Sequence, residues 1–273
     1  MFISKSTDLK FFQPKKLTTT EIEDLYIPCY LEKFINSITE IDGRYYFYKE
    51  VDHMLLINEL IGSYLSKLIS LEAVDYQIGI YEKKLYVLSQ IFYDSNHLYN
   101  NCYDFFGTIA NRQLTEFESL ISRIYLRQDK MLDLIDNPSM ILNILKLSLI
   151  DIKMGQIDRH NQNLMLKIDK VTGLVDLAPI FDFGFSYSDN PLYPDFLFYD
   201  NPFIILRKNK ISLNSLCKKY PDIINSIYLL GNLEIRSVLD QIQREKNIIL
   251  TENEKVYYED KDRKYTKVLK RII

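Results

Sequence analysis

The sequence predicts an α+β fold in two lobes, a small β-rich lobe over residues 1–93 and a mostly helical lobe over residues 94–273. Three observations carry this expectation. Two strand–turn–strand patterns, 34–49 and 76–92, flank one amphipathic helix. Helical spacing dominates after residue 94, and Met140 to Met154 is apolar on most faces, as a central buried helix should be. A polar loop, D-R-H-N-Q-N at 158–163, leads at once into a short apolar hairpin that ends in Asp182-Phe183-Gly184. A chain of 273 residues accommodates two lobes and a sizeable core.

The elements follow in order. Thr18-Thr19-Thr20 before E-I-E-D-L-Y predicts a capped helical turn. Phe34 to Ile38 reads as a strand and Glu40 to Gly43 as its turn, with Asp42-Gly43 the hairpin signal. Arg44 to Lys49 is the returning strand, rich in aromatics. Met54 to Leu71 reads as a helix, because Ile57, Leu60, Ile61, Tyr64, Leu65 and Leu68 recur at helical spacing; Glu59 lies off that stripe. Residues 76–92 give two strands about a turn at Glu82-Lys83-Lys84, the second running through Gln90 to Phe92. Leu114 to Arg127 is a helix. Asn137-Pro138 caps the next one, with Pro at its first position, and Gly155 ends it. Leu164 to Leu166 is a strand and Asp169 to Gly173 a turn. Prolines and Asn/Asp pairs after residue 185 mark an irregular loop, in which Ser186, Tyr187 and Ser188 read as exposed hydroxyls, either solvated or open to phosphorylation. Helices return from Ser212. The cationic end, Lys261 to Ile273, is a solvated helix face.

Composition removes several functions. A net charge of −3 supplies no basic field to hold nucleic acid. Three scattered cysteines (Cys29, Cys102, Cys217) and three scattered histidines give neither a disulfide framework nor a zinc cage. The N-terminus lacks the apolar region of a signal peptide, and no apolar run reaches the length of a membrane span. These features predict a reducing, cytoplasmic setting without membrane contact, and leave delivery into another cell open.

The stretch 150–186 carries the chemistry. Phosphoryl transfer from ATP needs a carboxylate that orients the attacking hydroxyl and takes its proton. It also needs an amide oxygen and a second carboxylate for the magnesium that bridges the phosphates. Asp158 and Asn163, five apart on one loop, facing Asp182 on the next hairpin strand, would supply all three.

The stretch resembles kinases of the HipA type and, more distantly, phosphatidylinositol-kinase-like enzymes. Both carry D-x-H-x-x-N or D-R-H-x-x-N in the catalytic loop. Leu177-Ala178-Pro179-Ile180-Phe181-Asp182 is similar to the HipA-type L-A-P-x-Y-D segment, and Gly184 after Phe183 is more like the lipid-kinase branch. The resemblance implies a two-lobed, protein-kinase-like fold. It implies Asp158 as catalytic base, Asn163 and Asp182 as magnesium ligands, and His160 as a brace of the loop. It further implies a lysine in the 44–49 strand gripping the ATP phosphates, for which Lys49 is favoured over Lys33, and Glu59 of Asn58-Glu59-Leu60 as its partner. A surface glutamate is the rival reading of Glu59. Gln90 and Phe92 fall where the hinge would pair with adenine. No glycine-rich phosphate loop precedes Gly43, and Lys33-Phe34 matches the polar HipA-type loop that ends in Lys-Phe.

The function implied is an ATP- and Mg2+-dependent protein serine/threonine kinase with a protein substrate and an antitoxin-type partner. A phosphatidylinositol-type lipid kinase is one alternative, and a pseudokinase acting as a binding module is another. The lipid reading requires membrane contact, for which only the modest cationic end offers a segment. The pseudokinase reading requires a lost catalytic residue, and all three stand in the sequence.

Overall fold

The computed structural model describes residues 10–15, 17–28, 36–101, 137–156, 159, 163–187 and 217–272. The expected helix 114–127, Lys33-Phe34, Asp158, His160 and Ser188 lie outside the described residues.

A five-stranded sheet is ordered β1-β4-β5-β3-β2. Its strands are β1 (Lys10–Phe11), β2 (Ile38–Ile41), β3 (Arg44–Glu50), β4 (Tyr76–Tyr81) and β5 (Lys84–Gln90). β1 joins β4 in parallel and the other neighbours are antiparallel. Helix α1 (Thr19–Glu23) is closed by a reciprocal capping box between Thr18 and Glu21. The first hairpin departs from expectation. Pairing continues to Ile41↔Arg44, so Glu40 and Ile41 are strand and the loop is Asp42-Gly43 alone. Both loop residues stand at positive φ, 52° and 73°, which matches the strand twist and fixes a two-residue reversal. The β4–β5 loop does the same with Glu82 and Lys83, at 47° and 63°.

The two faces of this sheet differ. Tyr46, Tyr86 and Leu88 form an aromatic layer with Phe12 on one face. Tyr76, Ile78 and Val87 point to the other, where α2 (His53–Leu68) packs. Asp52 caps α2 by accepting the Leu55 N–H at 2.8 Å. The helix stops at Leu68 rather than Leu71, because Ser70 turns left-handed at φ 54°. Its buried surface exceeds the predicted stripe and takes in Asn58, Glu59, Ser63 and Ser66. Several neighbours share this: Asn58 accepts from Tyr258 near the chain's end, Glu59 accepts the Phe183 N–H, Ser63 donates to Val74 O and Ser66 to Gly62 O, while Tyr64 donates to Gln241.

A second sheet, β6-β7-β8, is built from β6 (His97–Asn101), β7 (Met165–Asp169) and β8 (Val175–Leu177). Asp169 Oδ1 accepts the Val171 and Thr172 amides, and Gly173 at φ 70° completes the predicted turn. Helix α3 (Pro138–Met154) is central as expected. Asn137 caps it, and Gly155 ends it at φ 59° under the Tyr265 ring, where a Cβ would stand 2.1 Å from ring carbon. Helices α4 (Asp222–Asn232), α5 (Ile235–Lys246) and α6 (Glu252–Ile272) follow. Lys153 of α3 is wholly buried and pairs with Asp262 of α6 at 2.8 Å. One hydrophobic core runs from Val51, α2 and the sheet through α3 to Leu269 of α6. Among the described residues, no helix is long and apolar enough to cross a membrane.

Candidate active site

Strand alternation delivers the first site residue. Lys49 faces the same side of β3 as Phe47, and its cross-strand partner is Val87. That side overlooks a cavity of about 670 Å³ between the two sheets. Val74, Val87, Phe92, Met165 and Phe181 give it apolar walls, while Lys49, Glu59, Tyr76 and Asp182 supply its polar groups. The volume and the few convergent polar groups are those of a small-molecule site. Gln90 takes no part in this wall. It pairs with Tyr46, and alternation turns it to the opposite face, so Ser89 lines the cavity in its place. Phe92, three residues before the chain enters the second sheet through Ser95 and Asn96, does line it.

The Lys49 ammonium lies 3.4 Å from the Asp182 carboxylate. The lysine is more than half exposed, so the pair adds little to stability. Its meaning is positional: a residue from the first sheet and one from the segment after β8 converge on one mouth. Glu59 is only 2 % exposed, which removes the surface reading. Its carboxylate accepts the Phe183 N–H at 2.8 Å, and burial pushes its pKa up against that bond. Tyr76, within hydrogen-bonding reach of Glu59, is driven well above the usual tyrosine range by burial and by the glutamate's charge.

The backbone around Asp182 is held by side chains at four points. Arg159 donates to Phe181 O at 2.9 Å, and the Asp182 N–H is given to the Tyr76 hydroxyl at 3.0 Å. Gln156 donates to Asp182 O at 2.8 Å, and Glu59 takes Phe183 N–H. These bonds sustain φ 65° at Asp182, a left-handed conformation costing an L-residue about 1 kcal/mol. Further on, Asn58 donates to both Gly184 O and Ser186 O at 2.7 Å. Ser186 and Tyr187 are buried, not exposed hydroxyls. Tyr187 N bonds Met154 O at 2.8 Å, and its ring meets Tyr258 edge-on, so α3 and α6 enclose it.

Asn163 is buried at the start of the hairpin, and its carbonyl accepts from Arg159 at 3.4 Å. Arg159 was not singled out by the sequence. It forms two 3.2 Å bonds with buried Asp151 of α3 and lies 5.1 Å over the Phe183 ring. Burial raises the Asp151 pKa, and the guanidinium opposes that rise. One arginine thus ties α3 to both segments that carry the predicted metal ligands. Tyr76 and Gln156 were also missed. Among the described residues no group of three or more His, Cys, Asp or Glu converges as a metal cage.

No protein-family model matches the sequence, and no curated protein matches it. Solved structures do. The crystal structure of the Helicobacter pylori proinflammatory kinase CtkA matches with a TM-score of 0.58 at 15% identity, over 86% of this chain and 93% of that one. HipA of Shewanella oneidensis MR-1, solved with HipB and operator DNA as a toxin–antitoxin system, matches with a TM-score of 0.54 at 12% identity. The match covers 86% of this chain and 62% of that HipA chain. The fold is that of the HipA-type kinases. Within this HipA-type fold, the α2 helix, the β7–β8 hairpin and the cavity between the sheets surround Lys49 and Asp182.

Proposed function

We propose that the chain is an ATP- and Mg2+-dependent phosphotransferase of the HipA type, acting on a serine or threonine hydroxyl of a protein. The observation that carries this reading is the meeting of Lys49 and Asp182 at the mouth of an apolar-walled cavity. The apolar walls suit an adenine ring. Lys49 lies where a cation would offset phosphate charge. The donor chemistry fits magnesium, which takes one or two carboxylates and completes its shell with phosphate oxygens and water. Asp182 supplies the carboxylate and Asn163 a neutral oxygen. When bound, the metal neutralises charge on the β- and γ-phosphates.

In this reading the substrate hydroxyl oxygen attacks the γ-phosphorus, the bond from that phosphorus to the β–γ bridging oxygen breaks, and ADP leaves. Asp158 accepts the hydroxyl proton, and His160 braces the loop. Lys49 releases Asp182 and turns to the phosphates. Glu59 acts on the Phe183 amide, so its contribution to nucleotide binding runs through the backbone of the metal-binding segment. The HipB bound to the Shewanella HipA extends the reading to an antitoxin-type partner for this chain. Incubation with labelled ATP and a protein lysate tests the activity. Asp158→Asn keeps the shape but loses the proton acceptor, so transfer is expected to vanish while ATP still binds. Equal labelling by variant and wild type removes Asp158 from the base role.

A further inference from the structure

The amides of Asp182 and Phe183 are successive, yet both are drawn to one pair of acceptors. Asp182 N–H is given to the Tyr76 hydroxyl at 3.0 Å, and Phe183 N–H to Glu59 Oε2 at 2.8 Å. Successive N–H groups of an extended strand point to opposite sides, so this convergence goes with the left-handed turn at Asp182. Tyr76 stands on β4, buried in the cavity wall, 106 residues from the segment it holds. Lys246 of α5 fixes its carbonyl at 2.7 Å, so strand and ring cannot drift independently of the helical part.

We infer that the Tyr76 hydroxyl is a positioning group that aims the Asp182 carboxylate at the metal; this rests on the phosphotransferase reading above. The hydroxyl touches no reacting atom. Its oxygen accepts the amide of the metal ligand itself, and its proton faces the Glu59 carboxylate. Tyr76→Phe removes that one oxygen and leaves the ring. The Asp182 amide then loses its acceptor, and the turn that directs the carboxylate loses one of its holders.

The experiment uses the full chain with Mg2+ and ATP as probes, and Tyr81→Phe as control. Tyr81 shares β4, but its hydroxyl bonds Glu82 at the surface. ATP is titrated by calorimetry with and without Mg2+, and amide exchange of the Asp182 peptide is followed without ligand. In Tyr76→Phe the Mg2+-dependent gain in ATP affinity should fall on the order of tenfold. Metal-free affinity should stay within about twofold, and the Asp182 amide should exchange faster. Tyr81→Phe should match the wild type in all three. A purely structural Tyr76 would lower the melting temperature and leave the Mg2+ gain intact, which overturns the inference. Unchanged amide exchange overturns it as well. A wild type with no Mg2+-dependent ATP binding overturns the phosphotransferase reading instead, while the exchange result still judges the bond. Should Tyr76→Phe not fold, the wild type still decides: its Asp182 amide is expected to be protected from exchange, and an unprotected Asp182 amide overturns the inference.

Discussion

Arg159 stands in a loop whose residue types are dictated by chemistry, yet its own task is mechanical. It bonds Asp151, Asn163 O and Phe181 O and covers Phe183. Removing it leaves a buried carboxylate at Asp151 without its partner, a loss worth about 3–5 kcal/mol. Arg159→Met is therefore expected to destabilise the chain by that amount. Asp151→Leu combined with Arg159→Met should recover most of it, since no buried charge then remains. Urea unfolding of both single variants and the double variant checks the cycle. Asp182 makes the complementary case. Asp182→Ala should abolish the Mg2+-dependent tightening of ATP binding in calorimetric titrations, and an undiminished gain would move the metal elsewhere. Asn163 and Asp182 could be named from the sequence because phosphoryl transfer asks for their types, and Lys49 because the family resemblance implies a lysine in its strand; the structure brings Lys49 and Asp182 together. Arg159, Tyr76 and Gln156 were not, because an arginine, a tyrosine or a glutamine has no role until a distant backbone group is brought to it. Gln90 marks a smaller limit: strand alternation turns its side chain to the opposite face, whereas the hinge reading concerns its backbone.

Helix α2 shows the same limit one level up. Its periodicity announced one apolar stripe and put Glu59 outside it. The second face is covered by α5 and α6, whose contacts with α2 span 177 and 200 residues of sequence. Periodicity reports only how many apolar positions a helix presents, and Asn58, Glu59, Ser63 and Ser66 are buried as polar, bonded residues. Gly62 records how tight this packing is. A Cβ there would lie 2.1 Å from the Phe183 ring. Alanine in a helix interior ordinarily gains about 1 kcal/mol over glycine. Here overpacking, typically costing 1–3 kcal/mol or about that, should reverse the sign. Gly62→Ala is expected to lower the melting temperature, and Gly62→Ala with Phe183→Leu to restore part of it. A melting temperature raised by the single substitution would mean that the ring has room to move. The first strand was expected over 34–38 and shares only Ile38 with β2 (Ile38–Ile41), and the Asp42-Gly43 and Glu82-Lys83 reversals are shorter than the runs that signalled them.

At the scale of the molecule, the expected β-rich part and mostly helical part describe the elements but not how they share a core. The main hydrophobic cluster does not divide between them: Leu56 and Ile61 of α2, Ile78 of β4, Leu147 and Ile150 of α3 and Leu239 of α5 belong to one cluster. Lys153 and Asp262 add a buried ionic tie across the same region. Differential scanning calorimetry offers the direct reading of this continuity. A single heat-absorption peak is expected, with calorimetric and van't Hoff enthalpies equal. Two resolved peaks would mean that the sheet-rich part melts by itself. The undivided core then has a consequence for whatever enters the cleft. A ligand that binds only the native state adds its free energy to the whole cooperative unit. Occupancy at Lys49 and Asp182 should therefore slow proteolytic cutting near α6 as much as near β3, so that protease resistance at the far end of the chain becomes a gauge of what the cleft holds.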